Sequence, residues 1–333
     1  MKRKLLPIQC FVNKQLQSYI TKLSFNNLRL YPSPVKIVEV GPRDGLQNEK
    51  KVIETSTKVD LINRLNNCGL KVIEVTSFVS PKWVPQMADN KQVYSQIEKK
   101  HDVSYPVLVP NLNGLENAIK SGVKEIAVFS AATEAFSNNN TNCSIEEGFI
   151  RVEEIMKVAL KAGLNVRGYL SCVIGCPYEG QVDPDKVTQY AQRLHEMGCY
   201  EVCLGDTIGV GNPGTMERLL EKVTRRIPLD CLALHCHDTF GMALANIYTA
   251  LQFGISTFDS SIAGLGGCPY APGATGNVAT EDLVYMLHGM GIETGVNFDN
   301  LVETSSFICS ILGRESASRV VRALRAKNSK CLV

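Results

Sequence analysis

The strongest indication of chemistry in this sequence is a pair of histidines, two residues apart, at the end of an apolar segment. The run 232–238 reads Leu-Ala-Leu-His-Cys-His-Asp, which is typical of a buried strand followed by a polar loop. Side chains two apart on a strand share a face, so His235 and His237 can converge on one point while Cys236 turns away. Neutral imidazole is a common metal ligand, and the pairing therefore favours a metal site over two satisfied core histidines.

Charged side chains also mark the first two predicted strands. Arg43 and Asp44 lie in the polar loop 41–50, directly after the first strand, and Glu74 stands inside the apolar second strand. An isolated buried carboxylate is costly, so Glu74 needs a partner. Two interpretations remain open: Glu74 pairs with Arg43 only to tie two strands together, or both residues belong to a functional site.

Two glycine-rich segments follow strands later in the chain. Residues 264–277 contain Cys268 and end at Asn277, and glycines at this density suit a mobile lid that approaches a ligand closely, with an ordinary surface loop as the alternative. Residues 209–214 read Gly-Val-Gly-Asn-Pro-Gly, which matches the dinucleotide fingerprint G-x-G-x-x-G. That fingerprint belongs in a first strand-helix turn, whereas this one lies in the sixth, so nicotinamide binding is not expected.

The elements that must position these residues alternate between short apolar strands and longer amphipathic helices. We predict eight strands, at 35–40, 72–78, 105–109, 125–130, 166–173, 200–204, 231–235 and 257–263. Eight strand-helix units with nearly continuous apolar strands predict an α/β fold of the (β/α)8 TIM-barrel type, with additional C-terminal helices from about residue 281. An open, doubly wound sheet is the alternative.

Composition excludes several classes of protein. The 333 residues are 44% hydrophobic and 20% charged, and they contain no apolar run of the roughly 18 residues that a membrane span needs. Seven of the 35 basic residues precede the first acidic residue, Glu39, so the remaining 28 face 33 acidic residues. Nucleic acid and membranes are therefore not expected partners. The twelve cysteines follow no secreted-scaffold or C-x-x-C pattern, so reduced thiols are the default.

The acid-free, basic opening of the chain, residues 1–34, has the composition of a mitochondrial transit peptide. A disordered basic tail is the alternative. We therefore expect a mature domain over residues 35–333, with the barrel extending to about residue 280, and a mitochondrial matrix location.

Together these motifs resemble the 3-hydroxy-3-methylglutaryl-CoA lyases, a family of metal-dependent TIM-barrel enzymes. The stretches that carry the resemblance are 38–49, 73–78, 204–209, 235–239 and the loop around Cys268, within a likeness that runs from about residue 35 to residue 312. The resemblance implies cleavage of 3-hydroxy-3-methylglutaryl-CoA, the small-molecule substrate, to acetoacetate and acetyl-CoA, as in ketone-body formation and leucine degradation. It also implies a homodimer.

The resemblance also implies roles for single residues. It assigns a divalent cation, Mg²⁺ or Mn²⁺, to four ligands: Asp44, His235, His237 and Asn277. It places four further residues in the active site: Arg43, Glu74, Asp206 and Cys268. Arg43 would bind the substrate and stabilise the enolate oxygen, and Cys268 would protonate the enolate carbon. Either Asp44 or His235 would be the general base.

The sequence departs from the family in two places. Residues 137–144 read Ser-Asn-Asn-Asn-Thr-Asn-Cys-Ser, where the animal enzymes carry lysines before Asn-Ile-Asn-Cys-Ser, and this removes positive charge that could meet the CoA phosphates. The ending Cys331-Leu332-Val333 replaces the peroxisomal Cys-Lys-Leu, so peroxisomal import is not expected, and Cys331 is either a redox-active thiol or a residue without a function.

There are two alternative functions. One is a condensing enzyme of the isopropylmalate or homocitrate synthase type, which typically reads Asp-Gly-Glu-Gln where this chain reads Asp-Gly-Leu-Gln at 44–47. The other is a catalytically silent acyl-CoA-binding paralogue, and the presence of every matched site residue argues against it.

Overall fold

The computed structural model describes residues 31–267 and 276–330. The described strands are β1 (Lys36–Glu39), β2 (Val72–Ile73), β3 (Thr76–Ser77), β4 (Val107–Leu108), β5 (Glu125–Ala131), β6 (Asn165–Ser171), β7 (Gly175–Cys176), β8 (Gly180–Gln181), β9 (Glu201–Asp206), β10 (Leu232–Cys236) and β11 (Thr257–Ser260). The short strands β7 and β8 form a separate antiparallel hairpin. The remaining nine belong to one parallel sheet.

Helices follow most of the strands. They are α1 (Thr55–Asn67), α2 (Asn90–Gln96), α3 (Leu112–Lys120), α4 (Glu134–Thr141), α5 (Ile145–Lys161), α6 (Pro184–Glu196), α7 (Pro213–Val223), α8 (Ala243–Phe253), α9 (Thr280–Gly289), α10 (Phe298–Leu312) and α11 (Arg319–Lys330). Local sequence sets several helix starts: Ser144 and Glu147 form a reciprocal capping box before α5, and Asn212 caps α7 ahead of a proline.

The parallel sheet closes into a barrel. Its strand order is β2-β1-β11-β10-β9-β6-β5-β4-β3, and the strands at the two ends, β2 and β3, are halves of one short run of chain. β2 pairs with β1 and β3 pairs with β4, so the chain changes partner at Glu74 and Val75. Counting β2 and β3 as one position gives eight positions, which confirms the TIM barrel and excludes the open doubly wound sheet.

The second strand is therefore not the continuous strand predicted over 72–78. Its backbone hydrogen bonds explain the break: the Glu74 amide donates to the carbonyl of Glu39 on one side, and the Val75 amide donates to the carbonyl of Pro106 on the other. One strand thus closes the barrel by pairing on both sides over different residues. The switch point carries Glu74, which is 1% exposed.

Side chains that face the barrel interior are polar, whereas those between the strands and the helices are apolar. On β6, alternate residues point in opposite directions, so Arg167 and Tyr169 face the interior while Val166 and Leu170 pack in the main hydrophobic core. Gly168 lies on the helix side, since a Cβ there would be 3.4 Å from the side chain of Leu194 on α6. This division leaves the interior free for charged side chains.

The C-terminal helices predicted from about residue 281 are confirmed as α9 and α10, and α11 follows them. The side chain of Asp282 on α9 accepts hydrogen bonds from the backbone amides of Arg319 and Val320, which fixes the start of α11. Among the described helices, no helix is long and apolar enough to span a membrane.

Candidate functional site

Arg43 and Asp44 lie in a single π-helical turn, Gly41–Gly45, that begins just after β1. The Val40 carbonyl accepts hydrogen bonds from the amides of Arg43, Asp44 and Gly45, which bends the chain sharply. Both glycines are closely packed: a Cβ on Gly41 would lie 2.6 Å from a carboxylate oxygen of Glu39, and a Cβ on Gly45 would lie 2.7 Å from the Cβ of Leu265. Such turns recur at functional sites because they aim side chains that a regular helix would not.

Glu74 pairs with Arg43, which gives this buried carboxylate the partner that it needs. Arg43 donates through Nε to Glu74 Oε1 at 2.7 Å and through Nη2 to Oε2 at 3.3 Å, while Nη1 reaches Asp44 Oδ1 at 2.7 Å. The hydroxyl of Tyr169 also donates to Glu74 Oε2 at 2.5 Å. Burial lowers the pKa of Arg43, but the charges of Glu74 and Asp44 more than offset it, so that pKa is raised above its ordinary value. Arg43 is therefore a fixed, permanent cation.

Asp44, His235 and His237 form a cluster in which one potential ligand atom from each lies within 4.8 Å of the others. Asp44 Oδ2 is 4.0 Å from His235 Nε2, and the two imidazole centroids are 5.2 Å apart. Although burial raises the pKa of Asp44, the charges of Arg43 and the histidines bring it below its ordinary value. Burial and the neighbouring His235 lower the pKa of His237 to about 4, so this imidazole is neutral at pH 7.

One observation shows that the cluster suits a metal ion. The Nδ1 atom of His237 is buried and has no hydrogen-bond partner among the described residues. A buried polar atom without a partner costs about 1–3 kcal/mol, and a cation would satisfy it. A carboxylate with two neutral imidazoles is a donor set that divalent cations bind. The described residues thus contain a possible metal-binding triad.

Asn277 is brought to the same cluster from a distant part of the sequence. Its Nδ2 donates to Asp44 Oδ2 at 2.8 Å and to the Leu265 carbonyl at 3.1 Å, and an isolated backbone bridge links it to His237. The amide nitrogen faces Asp44 in this arrangement. A half-turn of the amide about χ2 would present the oxygen, the atom that a cation requires, at the same place.

Asp206 ends β9 and holds the glycine turn that follows it. Its two carboxylate oxygens accept hydrogen bonds from the backbone amides of Val210 at 3.2 Å and Gly211 at 2.9 Å. Burial raises the pKa of Asp206 to about 6, although these amides and His235 oppose the shift. A Cβ on Gly209 would lie 2.8 Å from the His237 carbonyl. The glycines of the G-x-G-x-x-G segment therefore pack a turn against Asp206 and His237.

The clustered side chains open into a cavity of about 1410 Å³ at the carboxyl ends of the strands. Arg43, Asp44, His235 and His237 line one part of it, and the asparagine-rich segment 138–142 at the end of α4 lines another. Gly267, which belongs to the predicted lid segment 264–277, also lines the cavity. Cys268 and Cys331 lie outside the described residues, as does the segment 1–30.

Sequence reasoning missed three buried polar residues beside the site: Asp259, Arg167 and Tyr169. Asp259 accepts a hydrogen bond from His235 Nδ1 at 3.1 Å and pairs with Arg167 at 2.7 Å. Burial lowers the pKa of His235, but Asp259 reverses this and raises it. Arg167 on β6 and Asp259 on β11 show the same signal that identified Glu74, which is a charged residue inside an apolar strand.

Comparison with known proteins gives consistent relatives. The family model described as HMGL-like matches residues 34–308. The chain is 57% identical over 301 residues to the mitochondrial hydroxymethylglutaryl-CoA lyase of Bos taurus, covering 90% of this chain and 93% of the relative. It is 58% identical over 292 residues to the cytoplasmic 3-hydroxy-3-methylglutaryl-CoA lyase of Rattus norvegicus, covering 88% and 85%.

A solved structure agrees with these relatives. The hydroxymethylglutaryl-CoA lyase from Pseudomonas aeruginosa superposes with a TM-score of 0.88 at 55% identity, covering 90% of this chain and 99% of that one. The shared fold, the long matched segment and the high identity all lead to one assignment. This chain belongs to the HMGL-like family.

Proposed function

We propose that this protein cleaves 3-hydroxy-3-methylglutaryl-CoA to acetoacetate and acetyl-CoA. The observation that carries the proposal is the cluster of Asp44, His235 and His237 beside the fixed guanidinium of Arg43, inside a cavity at the carboxyl end of the barrel. Relatives named for this reaction are identical to this chain at more than half of the aligned positions. The carboxyl end of the strands is also where TIM-barrel enzymes place their active sites.

The residues that would hold the cation are Asp44, His235, His237 and, after rotation of its amide, Asn277. A site of one carboxylate, two neutral imidazoles and an amide oxygen with open positions suits Mg²⁺ or Mn²⁺ better than a closed zinc site. When bound, the divalent cation acts as a Lewis acid that orients the substrate and lowers the pKa of its hydroxyl group.

The chain's own groups then account for the reaction. Asp44 or His235 accepts the proton of the substrate hydroxyl, the C2–C3 bond breaks, and the C3 oxygen becomes the ketone of acetoacetate. The electron pair of the broken bond passes to the thioester as an enolate, and Arg43 donates hydrogen bonds to the enolate oxygen. Cys268 gives a proton to C2, which yields acetyl-CoA, and recovers it from the general base.

Arg43 is suited to this role because its position is fixed before substrate binds. Glu74 holds it in a bidentate pair, and Tyr169 holds Glu74. A donor that needs no reorganisation stabilises developing charge more effectively than one that must first move. Asp206 holds the neighbouring turn, so we assign it a supporting place in the active site.

The proposal extends to the transit peptide, the location and the oligomeric state of the protein. Residues 1–34 would be a mitochondrial transit peptide, and residues 35–333 the lyase domain, with a matrix location and a homodimeric state. The basic, acid-free composition of residues 1–34 and the mitochondrial name of the bovine relative support the location. Import into isolated mitochondria, with cleavage near residue 34, tests it. A relative from rat is named cytoplasmic, and a chain that stays uncleaved outside the isolated mitochondria would contradict the matrix location.

A metal-binding variant tests the proposed site. His237→Ala removes one imidazole of the cluster, so we expect both Mn²⁺ binding, measured by electron paramagnetic resonance, and acetoacetate release to fall together. The matched control is His101→Ala, because His101 is exposed, with a side chain 98% accessible, and is not a member of the cluster. Unchanged Mn²⁺ affinity in His237→Ala would contradict the proposed ligand set.

A further inference from the structure

Asp259 occupies the barrel position directly beside His235. The two residues are paired in register between β10 and β11, and both side chains point into the interior. Asp259 is 1% exposed, and its Oδ2 lies 3.1 Å from His235 Nδ1. Because a carboxylate can only accept in this contact, Nδ1 must carry the proton. In the neutral imidazole the remaining ring nitrogen, Nε2, then carries a free lone pair, and it is the nitrogen that faces Asp44 at 4.0 Å.

Asp259 is itself held in one orientation by a buried cation. Arg167 donates through Nη2 to Asp259 Oδ1 at 2.7 Å and through Nη1 to Oδ2 at 3.2 Å, a two-point contact that keeps the carboxylate from rotating. The Nε of Arg167 donates to Glu201 Oε1 at 2.7 Å, so the guanidinium is anchored on its other side as well. Each of these three side chains is 1% exposed.

His237 differs from His235 in its hydrogen bonding. Its Nδ1 has no hydrogen-bond partner within the part of the chain that the structure describes. Of the two imidazoles, only His235 has its tautomer set in advance by a carboxylate in that part of the chain. Metal-binding histidines commonly donate their second ring nitrogen to such an acceptor, and loss of the acceptor typically weakens metal binding by about 10-fold to 100-fold.

We propose that Asp259 is a positioning residue that holds His235 in its Nδ1–H tautomer, with Nε2 free for the divalent cation. This inference rests on the proposed function, because it assigns a purpose to one ligand of the proposed cation site. Asp259 does not touch that site directly. It acts through His235, and Arg167 keeps it charged and aligned.

The substitution Asp259→Asn changes the tautomer without changing the size of the side chain. Arg167 can only donate, so the amide oxygen of the new residue turns toward Arg167 and its NH₂ group faces His235. His235 must then accept at Nδ1 and carry its proton on Nε2, which blocks the metal-binding lone pair. We expect the dissociation constant for Mn²⁺ to rise by about 10-fold to 100-fold, and activity to return in part at high Mn²⁺.

Cys203→Ser provides the matched control. Cys203 lies on β9, on the far side of β10 from Asp259, and its Sγ is 3.5 Å from Asp259 Oδ2 in the barrel interior. Serine keeps the donor and the shape, so Mn²⁺ affinity should stay within about twofold. An unchanged Mn²⁺ affinity in a folded Asp259→Asn protein would overturn the proposal, as would an equal loss in Cys203→Ser.

A second measurement reads the tautomer in the unaltered protein and uses a variant only to assign the signals. The chain has five histidines, so ¹⁵N spectra of histidine-labelled, metal-free protein are simple enough to assign with a His235→Gln sample. At alkaline pH, where the imidazole is neutral, we expect His235 to carry its proton on Nδ1 and none on Nε2, and the reverse tautomer would overturn the proposal. Because no metal is present, this result separates failure of the inference from failure of the proposed function.

Discussion

Replacing Glu39 by glutamine should remove a loss of stability that this fold suffers as the pH rises. Glu39 ends β1 and is fully buried. Its Oε1 accepts hydrogen bonds from the amides of Gly41 and Ile262, each at 2.8 Å, and its Oε2 accepts one from the Thr280 hydroxyl at 2.6 Å. Burial raises the pKa of Glu39 from 4.5 to about 7, although these three hydrogen bonds oppose the shift.

The sign follows from where the proton is bound. Between pH 4.5 and pH 7 the folded protein keeps the proton on Glu39, whereas the unfolded chain has lost it. The folded state therefore binds more protons, and the free energy of unfolding decreases as the pH rises through this window. At about 1.4 kcal/mol for each pKa unit, the shift corresponds to about 3 kcal/mol. For a chain of this length that is about 4–5 °C in melting temperature.

Glutamine is a close neutral substitute at this position. Its oxygen can accept from the Gly41 and Ile262 amides, and its NH₂ group can donate to the Thr280 oxygen. Melting temperatures of both proteins should be recorded by circular dichroism from pH 4 to pH 8. Between these limits we expect the melting temperature of Glu39→Gln, relative to that of the wild type, to increase by about 4–5 °C. Burial also raises the pKa of Glu281, to about 8, but this group is present in both proteins.

Glu303→Gln is the control, because Glu303 lies exposed on α10. The difference in melting temperature between this variant and the wild type should not change with pH. A difference between Glu39→Gln and wild type that does not change with pH would refute the reasoning.

Three further substitutions test other parts of the account. Glu74→Gln should lower kcat by about 100-fold in steady-state assays, since Arg43 loses its charged bidentate partner, and an unaltered kcat would exclude that pairing from catalysis. Gly211→Ala should lower the free energy of unfolding in urea by about 1–3 kcal/mol, because its Cβ would lie 2.6 Å from Asp206 Oδ2, and wild-type stability would show that the turn relaxes freely. Cys268→Ala should greatly reduce turnover with Mn²⁺ binding intact, and loss of bound Mn²⁺ would contradict its assignment as a proton donor.

Local patterns were enough to predict the fold and part of the site. Strand-helix alternation predicted the barrel, and the two-residue spacing of His235 and His237 predicted their convergence because a strand has a fixed side-chain period. A charged residue in an apolar strand correctly indicated a buried partner for Glu74. The sequence could not show that this strand changes partner at Glu74, since that depends on how the barrel closes.

Other contacts depend on long-range pairing that the sequence does not display. Asn277 reaches Asp44 across 233 positions, and its place in the site came from the family resemblance alone. Asp259 and Arg167 carried the same local signal as Glu74, but their partners are set by strand register around the barrel. The contact of Asp206 with the 209–211 turn likewise appears only once the turn is folded.

The proposed function requires that cleavage of the substrate depend on a divalent cation. The most direct test is acetoacetate release from 3-hydroxy-3-methylglutaryl-CoA by the purified full-length chain, first stripped of metal with a chelator and then supplied with Mg²⁺ or Mn²⁺. We predict no release from the stripped protein and full release after either cation is added. Release that persists undiminished without metal would contradict the proposed function, as would Mn²⁺ binding to the protein with no cleavage of this substrate.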